Sequence, residues 1–237
     1  MDKCIWLLSR PDGVEAGAFR DFALDELDGI VGGAVRSALE VTVTIQEPDV
    51  QSVLVTRPDG TEQPLDVALE VVMAERYVPL DEFNTRLRGH CGVVQGWRVH
   101  PTVMYDASRP RAIGESSERL HTLVFIERLD GTTPEHFDRN WFVHGGHDNG
   151  EEALDDQSRA NRQAREAADP GMRYIQNRIL EPLTPTTFVT HGYTQLYVKE
   201  LVPAGPLGGT DHVRRPLEVP FDRWPPRILQ GYEYRVR

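Results

Sequence analysis

The sequence is poor in cysteine and in basic residues. Its 237 residues include two cysteines, Cys4 and Cys91, too few and too far apart for a disulfide framework. We therefore expect buried free thiols and a cytoplasmic protein. Lys and Arg number 26 against 37 Asp and Glu, which gives a net charge of −11. Because nucleic acids and anionic membranes attract clustered Lys and Arg, neither is an expected partner.

Long apolar runs and several well-known motifs are also missing. The apolar run near the N-terminus ends at Ser9-Arg10-Pro11-Asp12-Gly13, too early for a signal peptide or a membrane span. We interpret residues 3–9 as a first strand. The chain has no glycine-rich phosphate loop, no nucleophile elbow and no CxxC pair. These absences disfavour chemistry on dinucleotides, nucleoside triphosphates or redox disulfides.

The residues that are present alternate between strand and helix patterns. After Gly13, apolar residues at helical spacing predict a helix that closes at Gly32-Gly33. Alternating apolar and polar residues predict strands, and Pro58-Asp59-Gly60 predicts the turn of a hairpin over residues 53–64. The other predicted elements are strands over 39–45, 66–76, 93–105, 120–129, 172–181 and 190–201, and a short helix over 80–88.

The two halves of the chain share landmarks in the same order. Arg10-Pro11-Asp12-Gly13 matches Arg128-Leu129-Asp130-Gly131 near the start of each half. Gln95-Gly96-Trp97 matches Gln230-Gly231-Tyr232 near the end. Ordered matches of this kind indicate an internal duplication.

Each half reads β-α-β-β-α-β, the pattern of a ferredoxin-like unit with two helices on one face of an antiparallel sheet. The predicted fold class is α+β, with two tandem ferredoxin-like repeats over residues 1–106 and 120–237 and a linker over 107–119. Two such sheets can pack as one α+β barrel and enclose a cavity within the chain. Self-association, as a homodimer for example, could still use outer edges or helices.

A helix near the start of the second half offers the best candidate for acid–base chemistry. Thr133 suits the N-cap and Pro134 the first helical position. Phe137, Trp141 and His144 then fall on one stripe, so the helix ends by presenting an imidazole. An imidazole facing a cavity can act as a general acid or base near neutral pH. The alternative is a core histidine held by a hydrogen bond.

Residues around this helix end are also candidates. Trp141 could contact a substrate or belong to the core, and His147 could pair with His144 or stand in an exposed loop. His144, His147 and Asp148 are weak evidence for a metal site, because they are too few and sit at a frayed helix end. We predict no metal and no cofactor. Residues 150–169 form either a lid or a surface insertion without function.

A strand of the second half carries an unusual polar face. By alternation, His191, Tyr193, Gln195 and Tyr197 lie on one side of residues 190–201. Such a face suits a pocket for an aromatic or oxygenated ligand, whereas the alternative is an exposed edge strand.

Two stretches resemble the EthD family. They are Phe137-Asp138-Arg139-Asn140-Trp141-Phe142-Val143-His144 and the tyrosine-bearing strand Tyr174-Ile175-Gln176-Asn177-Arg178-Ile179. The likeness covers residues 120–200, and the first half resembles a degenerate copy with Glu26 in the place of His144. The resemblance implies the dimeric α+β barrel superfamily, whose members include cyclases, decarboxylases, dehydratases and cofactor-free monooxygenases.

We therefore expect a cofactor-independent lyase or cyclase, of the dehydratase or decarboxylase type, acting on a polyketide-like or aromatic carbonyl compound. Removal of a proton next to a carbonyl needs a base, a donor for the enolate oxygen and a dry pocket. His144 is the expected base, and the donors would come from Tyr174, His191 or Tyr193. Trp141, His147, Asn177, Tyr193, Gln195 and Tyr197 are expected to contact the substrate. A cofactor-free monooxygenase and a non-catalytic binding protein are the alternatives.

Overall fold

The computed structural model describes most of the first half of the chain and the strands of the second half. The described residues are 2–48, 53–56, 60–106, 108–128, 131–135, 137, 171, 173–198 and 227–237. The predicted strands and the short helix all occur, and their ends mostly lie within three residues of the predictions. The first predicted helix is two helices that meet at Glu26.

The described elements are three helices and ten strands. The helices are α1 (Ala16–Asp25), α2 (Leu27–Ala34) and α3 (Asp81–Arg88). The strands are β1 (Asp2–Ser9), β2 (Ala38–Gln46), β3 (Leu54–Thr56), β4 (Glu62–Pro64), β5 (Val67–Met73), β6 (Val93–Asp106), β7 (Leu120–Ile126), β8 (Arg173–Pro182), β9 (Gly192–Val198) and β10 (Arg227–Arg235). In the part of the chain that is described, no helix has the length and apolar character to cross a membrane.

Eight of the strands form a closed antiparallel barrel in the order β1-β5-β2-β10-β7-β9-β8-β6. The four strands from the first half stand side by side as β6-β1-β5-β2, and the four from the second half as β10-β7-β9-β8. Pairing of β2 with β10 and of β6 with β8 joins the two sets. The fold is thus a mixed α/β fold around an eight-stranded barrel.

The outside of the barrel is covered by helices where the first-half strands lie. Trp6, Leu8, Val43 and Leu69 point outward at alternate positions and are fully buried. They pack against apolar side chains of the three helices, namely Phe19, Ala23, Leu27, Val31, Phe83 and Leu87. Cys4 and Cys91 belong to this layer, where burial raises the pKa of each thiol to about 12, so both are poor nucleophiles.

The inside of the barrel is apolar at one end. Ile5, Leu7, Trp97, Phe125 and Leu229 fill it. Further residues cover this end from the β3–β4 hairpin and from the loop between β8 and β9, namely Val53, Val55, Leu65 and Phe188. The predicted hairpin therefore closes one end of the barrel.

One pair of sequence landmarks does not mark equivalent positions. Trp97 pairs with Ile5 and points into the barrel, whereas Tyr232 pairs with Ile45 and points outward. Gly96 lies against the Trp6 indole, whereas a Cβ at Gly231 would approach the carbonyl oxygen of Ile45. Because side chains alternate along a strand, matching letters here have opposite orientations. The match between Gln-Gly-aromatic motifs was wrong as a structural alignment.

The predicted second-half helix is described only where it begins. The Phe137 amide donates to the Thr133 carbonyl at 2.9 Å, a helical bond from residue i to residue i−4. His144, Trp141, His147 and residues 150–169 lie outside the described residues, so the predictions made for them remain predictions.

Candidate functional site

The second end of the barrel interior holds a polar cavity of about 240 Å³. That volume is slightly below the ~300 Å³ at which pockets for drug-sized ligands begin, so it suits a small ring compound. Its apolar wall includes Val72, Pro101 and Ile175. Its polar wall includes Lys3, Glu70, Arg173, Gln195 and Glu233.

A buried ion pair occupies one side of the cavity. The Lys3 ammonium lies 2.8 Å from Glu70 Oε1, and both side chains are almost fully buried. Tyr193 donates its hydroxyl to Glu70 Oε1 at 2.6 Å, and burial together with this carboxylate raises the pKa of Tyr193 well above its ordinary value. Glu70 is therefore held by an ammonium group and a phenol hydroxyl.

Gln195 connects this pair to His121. Its Oε1 accepts from Lys3 Nζ at 2.6 Å and from Asn177 Nδ2 at 2.9 Å, which fixes the orientation of the amide. Gln195 Nε2 then donates to Glu70 Oε2 at 2.7 Å and meets His121 Nε2 at 3.1 Å. His121 Nε2 must therefore be the acceptor nitrogen.

The other ring nitrogen of His121 must then carry the proton. His121 Nδ1 lies 2.7 Å from Thr44 Oγ1, which can accept that proton in a hydrogen bond. Burial lowers the pKa of His121 more than the carboxylates of Glu233 and Glu70 raise it. We conclude that His121 is a neutral imidazole whose two nitrogens are both engaged.

Glu233 forms the opposite side of the cavity. Its Oε2 accepts from Tyr197 at 2.5 Å and from Arg111, with Arg173 Nη1 at 3.5 Å. Burial alone would raise the pKa of Glu233, but the neighbouring His121, Arg173, Arg111 and the Tyr197 hydroxyl together hold it well below the usual range. Glu233 is therefore ionised near neutral pH.

The second oxygen of this carboxylate has no hydrogen-bond partner among the described residues. Glu233 Oε1 is fully buried, and His121 Nδ1 lies 3.5 Å away, beyond an ordinary hydrogen bond. A buried ionised oxygen without a donor is rare, because its desolvation is not compensated. Glu233 also lines the cavity.

Several predicted ligand contacts do belong to this network. Tyr193, Gln195 and Tyr197 point into the barrel from β9, as alternation predicts, and each is at least nine-tenths buried. Asn177 reaches the same network from β8. The alternative interpretation, an exposed edge-strand face, is wrong because β9 lies between β7 and β8.

Two predicted catalytic residues are not brought to the cavity. Tyr174 and Gln176 stand on the face of β8 opposite to the inward-facing Asn177, so their side chains point out of the barrel. There the Tyr174 hydroxyl accepts from Gln176 Nε2. His191 Nδ1 accepts from the Arg128 amide, and the His191 amide donates to the Ile126 carbonyl. These contacts place His191 at the opposite end of β7 from His121. Burial and Arg128 lower the pKa of His191.

Sequence reasoning missed Lys3, Glu70, His121 and Glu233. Each stands at an inward position of a strand, and each comes from a different strand of the barrel. Glu70 gave a usable signal, since a charged residue in the otherwise apolar run of β5 is costly unless it is paired inside.

Three of these groups could be considered as metal ligands. Ligand atoms of Glu70, His121 and Glu233 lie within 4.8 Å of one another. Both carboxylates are already neutralised by Lys3 or by arginines, and the free lone pair of the imidazole faces the Gln195 amide. A divalent cation would have to displace these partners, so the donor set does not fit a metal well.

Comparison with solved structures shows the fold. An anthrone oxidase-like protein aligns with 99% of this chain and 93% of its own, with a TM-score of 0.54 and 8% identity. A candidate monooxygenase from Lactobacillus acidophilus NCFM aligns with 100% of this chain and 94% of its own, with a TM-score of 0.46 and 10% identity. No family model and no curated protein sequence matches the chain.

The likeness shows an antiparallel eight-stranded barrel fold. Membership in the dimeric α+β barrel superfamily and in the EthD family remains a prediction. At 8% identity the likeness carries no assignment of activity.

Proposed function

We propose that the protein is a cofactor-independent oxygenase of a small aromatic compound with an acidic C–H group next to a carbonyl. The monooxygenase was the alternative in the sequence analysis, and it now takes precedence over the lyase or cyclase. The name of the anthrone oxidase-like neighbour also favours the oxygenase over the lyase or cyclase.

The observation that carries the proposal is the pairing of buried cations with a small cavity. Lys3 and Arg173 line it together with Val72, Pro101 and Ile175. A cationic donor in a dry site stabilises the negative charge that develops on a carbonyl oxygen when the neighbouring carbon loses its proton. The resulting enolate is electron-rich and can itself reduce oxygen.

The atoms and electrons of this reaction balance without a cofactor. A methylene group and one O₂ give a carbonyl group and one water, and the substrate supplies all the electrons. The protein needs to remove one proton, bind the enolate and exclude water. A lyase would need the same proton removal but no oxygen, which provides the test.

We assign the enolate donor to Lys3. Its ammonium already reaches Gln195 at 2.6 Å, Glu70 at 2.8 Å and Asn177 Oδ1 at 3.2 Å, so it would exchange the longest of these contacts, the one to Asn177, for the enolate oxygen. His121 is not assigned as the base because both of its nitrogens are engaged. His144 remains the predicted base, and Trp141 and His147 remain predicted contacts. Tyr193, Gln195, Tyr197 and Asn177 would act by holding Lys3, Glu70 and Glu233 in place.

We also infer that the barrel arose by duplication of a ferredoxin-like unit, with halves 1–106 and 120–237. The strand orders β6-β1-β5-β2 in one half and β10-β7-β9-β8 in the other support it. When the barrel strands of each half are numbered along the chain, both halves have the same order: fourth, first, third, second. A cavity inside one chain follows. A homodimer, if it forms, would then not be needed to complete the site.

Oxygen uptake tests the activity most simply. With anthrone as the probe, we expect the wild-type protein to consume oxygen and Lys3→Met to lose about 100-fold or more in rate, the usual effect of removing one such donor. Glu82→Gln, at an exposed position of α3 outside the cavity, serves as the control. Conversion without oxygen uptake would favour the lyase, and binding without conversion would favour a binding protein.

A further inference from the structure

We propose that Glu233 is a specificity-determining residue whose Oε1 atom accepts a hydrogen bond from a neutral hydroxyl group of the ligand. The inference rests on the ligand cavity of the proposed function, but not on its oxygen chemistry.

The carboxylate of Glu233 has two oxygens in different surroundings. Oε2 is held by Tyr197, Arg111 and Arg173, whereas Oε1 is buried and has no hydrogen-bond partner among the residues described here. An ionised buried oxygen gains most from a donor, since its hydration is already lost. Glu233 is part of the cavity wall, so a ligand that enters the cavity would reach Oε1 by a small shift of the side chains that cover this oxygen.

The surrounding charges select the kind of donor. Lys3 already pairs with Glu70 at 2.8 Å, and Arg111 and Arg173 already face Glu233. A ligand ammonium at Oε1 would be repelled by Arg111 and Arg173, although Asp2 and Glu40 elsewhere on the cavity wall would attract it. A ligand carboxylate would place its negative charge against Oε1. A neutral O–H group satisfies the oxygen without either repulsion.

The hydrogen bonds around Glu233 also predict what its amide would do. In Glu233→Gln, the amide oxygen should face Arg111 and Tyr197, which both donate there in the wild-type protein. The amide nitrogen would then take the place of Oε1 and present N–H groups to the cavity. The substitution would thus change the wall from an acceptor to a donor with little change in shape.

Binding of two matched naphthalenes tests this directly. We would measure Kd by calorimetry at pH 7 for 2-naphthol and for 2-methoxynaphthalene, which lacks the donor. The wild-type protein should prefer 2-naphthol by about 10- to 100-fold, the range for a hydrogen bond to a charged group. 2-Naphthoate should bind more weakly than either compound.

The variants separate an effect of Glu233 from a general effect of losing a carboxylate. Glu233→Gln should lose or reverse the preference, and Glu82→Gln, which changes an exposed carboxylate on α3 outside the cavity, should keep it. Unfolding curves would be recorded on the same preparations. If Glu233→Gln does not fold, the wild-type series still overturns the proposal when the two naphthalenes bind equally.

Three results would overturn the proposal. They are equal affinity of the wild-type protein for the two naphthalenes, no binding of either, and a preference that survives in folded Glu233→Gln. A preference for 2-naphthol in a protein that consumes no oxygen with anthrone would reject the proposed activity and leave this inference standing.

Discussion

The two ends of the barrel interior are built from the same strands but have opposite chemistry. At the closed end, Ile5, Leu7 and Phe125 pack under the β3–β4 hairpin. At the other end, which we call the polar end, Lys3 and His121 lie two to four residues away along the same strands and belong to a buried polar network. One strand therefore contributes to the core and to the candidate site.

The difference separates what stabilises the fold from what prepares it for a ligand. Burial of apolar side chains at the closed end stabilises the fold directly. Burial of charges at the polar end gains little net stability, because desolvation offsets most of the attraction between them. We infer that the charges at the polar end serve ligand binding rather than stability.

The largest expected effect comes from the closed end. Trp97 is 2% exposed and lies 6.0 Å from the Phe188 ring, centroid to centroid. Trp97→Ala should lower the free energy of unfolding by about 3–5 kcal/mol, as measured by urea denaturation. Leu54→Ala, at an exposed position of the covering hairpin, should change it by less than about 0.5 kcal/mol. Equal effects would show that the closed end is not the stabilising core.

A smaller net effect on the unfolding free energy is expected at the polar end when both charges of a pair are removed together. Glu70→Gln alone leaves the Lys3 ammonium buried without its anion and should cost about 3 kcal/mol of unfolding free energy. Adding Lys3→Met should recover most of that loss. A double-mutant cycle by urea denaturation measures this, and a double variant less stable than the single one would contradict the comparison.

The smallest expected effect is a dependence of stability on pH. Burial lowers the pKa of His121 below its ordinary 6.5, so the unfolded chain binds more protons than the folded protein below that pH. The unfolding free energy should fall as the pH decreases from 6.5 to 5, by at most ~1.4 kcal/mol per pH unit from this group.

His121→Gln provides the control for this pH dependence. The substitution removes the titrating ring, so its unfolding free energy should change less between pH 6.5 and 5 than that of the wild-type protein. Parallel curves for the two proteins would mean that His121 keeps its ordinary pKa or is charged in the fold.

The secondary structure and one face of the site could be predicted from the sequence. Period-two alternation found the barrel strands and placed Tyr193, Gln195 and Tyr197 on one side of β9, because alternation is a local property of the backbone. The partners of these residues could not be found this way. Lys3, Glu70 and Glu233 meet them only because the β2–β10 and β6–β8 pairings close the sheet.

The landmarks of the predicted duplication show the same limit. The two Arg-x-Asp-Gly motifs begin at Arg10 and Arg128, which are 118 residues apart. Lys3 and His121 are separated by the same distance along the chain, and both point into the barrel. The Gln-Gly-aromatic motifs match in letters, but Trp97 points inward and Tyr232 outward. Strand register, which decides the direction of every side chain, depends on pairing rather than on composition.

A crystal structure of the wild-type protein soaked with 2-naphthol tests the central claim most directly. We expect electron density for the rings beside Val72, Pro101 and Ile175, with the hydroxyl oxygen within hydrogen-bond distance of Glu233 Oε1. Density for the ligand only outside this cavity, for example at the surface cleft formed by Arg109, Arg111 and Arg119, would contradict it.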